Sequence, residues 1–185
     1  MKKEAETKEK RKERLLQLDH LTVLSCIGSG FIPRLIKWFT KGKFSHTAIL
    51  FHYGNEVLIL DAQKGGFEFK TVDKWIQVYN YQFVALKCPY GSLRKHSISQ
   101  KAMLLIGKEY DFTSFLFRFP RQKLIRFFNK FRRYKKVEQP AITEESMIKK
   151  LYCSEVVSHL YGFPIPIISP SELHHLLMKN GFELC

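Results

Sequence analysis

Cys153 lies in the stretch KKLYCSEVVSHLYG (149–162), immediately before Val156, Val157, Leu160 and Tyr161, which recur at helical spacing. A thiol there sits at the positive end of a helix dipole, among backbone N–H groups that lack an intrahelical acceptor. Both features favour the thiolate, which is the nucleophilic form. A nucleophile of this kind needs a base, and the base needs a partner that fixes its tautomer. The run FSHTAILFHYGNEVLILDAQ (44–63) offers both. It holds two apolar segments around Gly54-Asn55, a β-hairpin signal. With Gly54-Asn55 as the loop, His46 faces Gln63 and Ala48 faces Asp61. Paired residues point to the same side of a sheet, so His46 and Asp61 share a face one diagonal step apart. Asp61 is then the first candidate to hold one ring N–H of His46, and Gln63 the second. The chemistry is acyl transfer: Cys153 attacks, His46 moves the proton, Asp61 orients His46, and the Cys153 amide meets the oxyanion.

Bulk properties set the limits. The chain has 185 residues, 45% hydrophobic and 14% aromatic, which suits one folded domain rather than a disordered chain. Thirty-one Lys and Arg against seventeen Asp and Glu give a net charge of +14. Such a charge draws a protein toward nucleic acid, an acidic polymer or a membrane face. Cys26, Cys88, Cys153 and Cys185 form no CxxC or zinc-like spacing, and no cofactor or metal is expected. The first twenty residues lack a signal-peptide apolar stretch, and no apolar run is long enough to span a bilayer. A reducing, cytoplasmic setting with free thiols is expected, with room for peripheral contact with a membrane.

The elements that must position these residues can be sketched from pattern. Residues 1–19 form a charged N-terminal tail, solvated or a frayed helix, and 20–185 form the working domain. LTVLSCI (21–27), FEFKTV (67–72) and YQFVALKC (81–88) are strands beside the hairpin. FIPRLIKWFTKG (31–42) is a helix with Ile32, Leu35, Ile36 and Phe39 on one face. SISQKAMLLIGKEYD (97–111) is a helix with Ser97 as its cap and Gly107 as a stop signal. SPSELHHLLMKNG (169–181) is a helix with a capping box from Ser169 and Glu172. Residues 112–142 are an irregular, basic and aromatic insertion. The sum is an α+β domain with a small antiparallel sheet packed with helices.

In chain order, GSGFIPRLIKWFTKGKFSHTAILF, ILDAQKGG, GKEYDF, LYCSEVV and ISPSELHHL resemble the permuted NlpC-type papain-like cysteine amidases of the YaeF/YiiX type. Lecithin-retinol-acyltransferase-like and poxviral proteins are related branches. The resemblance implies a circularly permuted papain-like fold in which the histidine strand precedes the cysteine helix. It matches the family's Ser-His to Ser45-His46, its acidic or polar third residue to Asp61, and its nucleophile to Cys153. Many members carry Glu where this chain has Asp61, and many open the first strand with a Gly-Asp pair that is absent here.

Three functions follow from these residues. The first is a cysteine hydrolase, an amidase or peptidase working through a thioester. The second is a lipid acyltransferase or phospholipase at a membrane surface, using the same residues. The third is a non-enzymatic module that binds anionic membrane or nucleic acid. The segment RFPRQKLIRFFNKFRRYKK (118–136) interleaves aromatic and basic residues without an acidic one, and is the expected contact with an anionic membrane surface, ahead of nucleic acid.

Overall fold

The computed structural model describes residues 7–63, 66–79, 81–107, 153–163 and 168–185. The Tyr110-Asp111 element and the insertion 112–142, with its 118–136 segment, lie outside them.

Among the described residues, six antiparallel strands form one sheet in the order β4-β3-β2-β1-β5-β6. In chain order they are β1 (Val23–Ile27), β2 (His46–Tyr53), β3 (Glu56–Gln63), β4 (Gly66–Thr71), β5 (Gln82–Lys87) and β6 (Glu183–Leu184). The helices are α1 (Lys8–Leu16), α2 (Phe31–Thr40), α3 (Val72–Val78), α4 (Ser92–Met103), α5 (Cys153–Leu160) and α6 (Pro170–Lys179). The fold is α+β and permuted papain-like, with the sheet at its centre.

Alternation along the strands divides the core in two. Val23, Ile49, Phe51, Leu60 and Ala62 face one side, where they pack with α4, α5 and α6. Leu24, Cys26, Ala48, Leu50 and Ile59 face the other, where Leu15 of α1 and Trp75 of α3 cover them. Gly54 takes φ 59 at the β2–β3 turn, a left-handed conformation that suits glycine. The pairing is as the pattern requires, with Ile49 opposite Leu60 and Tyr53 opposite Glu56.

Three elements differ from the sequence-based expectation. The charged N-terminus is not a solvated tail from residue 8 onward. It forms α1, which the Thr7 side chain caps, and Leu15 and Leu18 are buried. The helix expected at 97–111 begins at Ser92 after Gly91 and ends at Met103. Its first turn has only Leu93 as an apolar residue, and that side chain is exposed, so periodicity gave no sign of it. α3 follows β4 directly, in a stretch for which the sequence pattern assigns no helix. The α6 capping box is present: Ser169 N donates to Glu172 Oε2 at 2.9 Å and Glu172 N to Ser169 Oγ at 3.2 Å.

Candidate active site

His46 opens β2, and its ring lies on the α1/α3 side of the sheet. The β2–β3 register brings Asp61 to the same side, one diagonal step away. His46 Nε2 and Asp61 Oδ1 are 2.6 Å apart, and Asp61 is fully buried. The side chain of Gln63, the alternative partner, is not among the described ones. The second Asp61 oxygen accepts from Lys70 Nζ at 3.0 Å. Lys70 comes from β4, is itself buried, and also meets Glu68 Oε1 at 2.5 Å. Tyr81 stacks on the His46 ring with centroids 5.5 Å apart, and Tyr79 stacks on Tyr81. The ring is held by a carboxylate on one edge and an aromatic on one face.

Cys153 is the first residue of α5, whose body packs on the opposite side of the sheet against β2. β1 ends, β2 begins and β3 ends at the same end of the sheet, and there the thiol meets His46. A hydrogen bond joins Cys153 to His46. Because Asp61 occupies Nε2, Nδ1 is the ring nitrogen left for sulfur. The Thr47 backbone N–H also favours the Cys153 thiolate. The Thr47 hydroxyl is buried beside them and makes no hydrogen bond.

The electrostatics follow from this packing. Burial alone would raise the Cys153 thiol, but the His46 charge and the hydrogen bonds from His46 and Thr47 bring it below its ordinary value. Burial alone would lower the His46 imidazolium. The Cys153 and Asp61 charges outweigh that and hold it well above the usual imidazole range. Burial would raise Asp61, and His46 and Lys70 together keep it lowered. The site therefore favours a thiolate–imidazolium pair backed by a carboxylate.

The structure thus brings together the three residues expected from sequence, Cys153, His46 and Asp61. Lys70, Thr47 and Tyr81 were not foreseen. The alternation in FEFKTV carried a signal for Lys70, since it places Lys70 and Glu68 on the Asp61 side of the neighbouring strand. Ser45 is a backbone partner: its Oγ accepts from Gly28 N at 2.9 Å. The other histidines lie elsewhere. His52 Nε2 meets the Leu18 carbonyl at 2.8 Å, and His174 Nδ1 meets Ser25 Oγ at 2.9 Å. All four cysteines are free thiols.

A histidine strand that precedes a cysteine helix, with both meeting at one end of an antiparallel sheet, defines the permuted papain-like class. The chain matches the model of a family described as permuted papain-like amidase enzyme, YaeF/YiiX, C92 family, over residues 29–119. That span takes in His46 and Asp61 and ends before Cys153. The structure is similar to the crystal structure of metalloprotein yiiX from Escherichia coli O157:H7, with a TM-score of 0.55 and 19% identity. The likeness covers 82% of this chain and 68% of that one, and at this identity it is a likeness of fold. No curated protein matches the chain. Among the described residues, no group of three or more His, Cys, Asp or Glu side chains could hold a metal ion. No helix among them is long and apolar enough to cross a membrane.

Proposed function

We propose that this chain is a cysteine amidase or peptidase, with one hydrolase domain that takes in α1 as well as residues 20–185, Cys153 as nucleophile, His46 as general acid and base, and Asp61 as the residue that orients His46. One observation carries the reading: the buried His46 ring lies between Asp61, 2.6 Å from Nε2, and a thiol at a helix N-terminus. The Cys153 thiolate attacks the amide carbonyl carbon, and the carbonyl π electrons move onto oxygen. Backbone N–H groups at the start of α5 stabilise that oxyanion. The intermediate collapses, the C–N bond breaks, and His46 gives its Nδ1 proton to the departing amine nitrogen. The acyl group is then a thioester on Cys153. His46 next takes a proton from water, the hydroxide oxygen bonds to the acyl carbon, and the carboxylate leaves as the thiolate is regenerated. Free thiols in this arrangement suit a reducing compartment such as the cytoplasm.

The test is thiol reactivity together with turnover. Iodoacetamide at about pH 6, below an ordinary thiol's pKa of about 8.5, should label Cys153 ahead of Cys26, Cys88 and Cys185. Cys153→Ala should keep the fold and lose turnover of peptide or γ-glutamyl amides by on the order of a thousandfold or more. Equal labelling of the four thiols, or turnover that survives Cys153→Ala, would sink the proposal. A second reading, transfer or hydrolysis of a lipid acyl chain by the same residues, draws support from the exposed apolar side chains of α2. A panel of amide against lipid ester substrates separates the two.

A further inference from the structure

α2 has its amphipathy reversed relative to a helix that packs on a core. In FIPRLIKWFT, the six apolar positions Phe31, Ile32, Leu35, Ile36, Trp38 and Phe39 fall on one continuous arc, and Pro33, Arg34, Lys37 and Thr40 fall on the other. The apolar arc of a surface helix ordinarily faces the core. Here none of the ten residues is buried. Phe31 is 80% exposed, Trp38 72% and Ile32 45%. Two contacts that seat the helix come from the polar arc. Lys37 Nζ donates to the Gly28 carbonyl at 2.9 Å. Pro33 stands so close to Gly28 that a Cβ there would lie 2.6 Å from the ring. With Pro33 and Lys37 turned inward, Phe31, Ile32 and Trp38 are turned out, while Leu35, Ile36 and Phe39 are half-buried.

The charge around this surface has one sign. From Gly28 to Tyr53 the chain carries Arg34, Lys37, Lys41 and Lys43 and no acidic residue. Arg34, Lys41 and Lys43 are exposed. Apolar and aromatic side chains rimmed by cations complement a lipid interface with anionic headgroups. Trp and Phe settle at the acyl boundary there, and Lys and Arg meet the phosphates. We infer that α2 is a membrane-surface helix: Phe31, Ile32 and Trp38 enter the acyl boundary of an anionic bilayer while Arg34, Lys41 and Lys43 bind its headgroups. Lys43 closely precedes His46, so this contact sets the candidate active site against the membrane plane. The inference holds whichever acyl bond the site cleaves.

The chain contains two tryptophans, and Trp75 is only 1% exposed, so emission changes report Trp38. The full chain should co-sediment with phosphatidylcholine vesicles containing phosphatidylserine, and far less with phosphatidylcholine alone. Its emission should shift to the blue, and lipids brominated on the acyl chain should quench it. Replacing Arg34 and Lys41 by Ala should weaken binding to the anionic vesicles by on the order of tenfold. Phe31→Ser with Ile32→Ser should weaken it at least as much and leave the thermal midpoint unchanged, because both side chains are already exposed. Failure to pellet with anionic vesicles would overturn the inference. So would pelleting without a shift or quenching of Trp38, which would place the contact elsewhere on the chain. A vesicle-free dimer that Phe31→Ser dissociates would also overturn it and assign the face to a second copy of the chain.

Discussion

Cys26 and Cys153 are both buried beside the His46 imidazole, yet their thiols are driven in opposite directions. Burial pushes Cys26 up to about 12, and the attraction of His46 does not offset it. The Cys26 sulfur points its proton toward the Leu24 carbonyl at 3.5 Å, which favours the neutral thiol. Cys153 instead accepts from His46 and Thr47, and those bonds favour the anion. The His46 charge is the largest influence that lowers Cys153, and hydrogen bonding to His46 adds to it. The same logic applies to Asp61, which burial would neutralise if His46 and Lys70 did not hold it charged. A carboxylate with a lowered folded pKa adds stability above its unfolded pKa of about 3.9, and that stability is lost as pH falls through the folded value. Lys70→Met leaves Asp61 with His46 alone and raises its folded pKa. The acid side of a plot of thermal midpoint against pH should therefore move to higher pH, and Lys70→Arg should restore it in part. Parallel curves for wild type and Lys70→Met would show that Lys70 does not act through Asp61.

Elements were legible where their signals are local. The α6 capping box needs only Ser169, Pro170 and Glu172, and the structure contains it. Ser169→Ala should lower stability by about 1 kcal/mol in urea denaturation while leaving thiol reactivity unchanged, since the cap touches neither Cys153 nor His46. The hairpin was legible for the same reason: the Gly54-Asn55 turn fixes the register, and the register puts His46 and Asp61 on one side. What could not be seen depends on contacts distant in sequence. The apolar arc of α2 shows a helix but not which way the helix turns, because Lys37 and Gly28 decide that. α3 is short, and its Trp75 and Ile76 earn their burial only from strands on the opposite core face. Lys70 is an ordinary strand lysine until the β3–β4 register sets it beside Asp61.

At the scale of the whole molecule, α1 ties the chain's beginning to the strand that supports the histidine. Arg11 Nη1 donates to the Tyr81 carbonyl at 2.8 Å and Arg14 Nη2 to the Phe83 carbonyl at 2.9 Å, while Tyr81 stacks on His46. The charged stretch looked solvated in sequence because Leu15 and Leu18 are its few apolar anchors, and no helical stripe surrounds them. Leu15 is fully buried, so Leu15→Ala should cost about 2–5 kcal/mol, read as a lower urea midpoint. No loss of stability would mean that α1 is dispensable to the fold. The order of parts along the chain has a further consequence, for synthesis. His46, Asp61 and Lys70 lie on successive hairpin-connected strands and can assemble as soon as β4 leaves the ribosome. Cys153 follows much later, at the head of a helix that must still dock on the sheet. On the proposed mechanism, a half-made chain would hold a base and its carboxylate with nothing to activate until translation has passed the sulfur. Chain order would then act as a safety catch, keeping the nascent polypeptide inert among the amides of the ribosome and its neighbours.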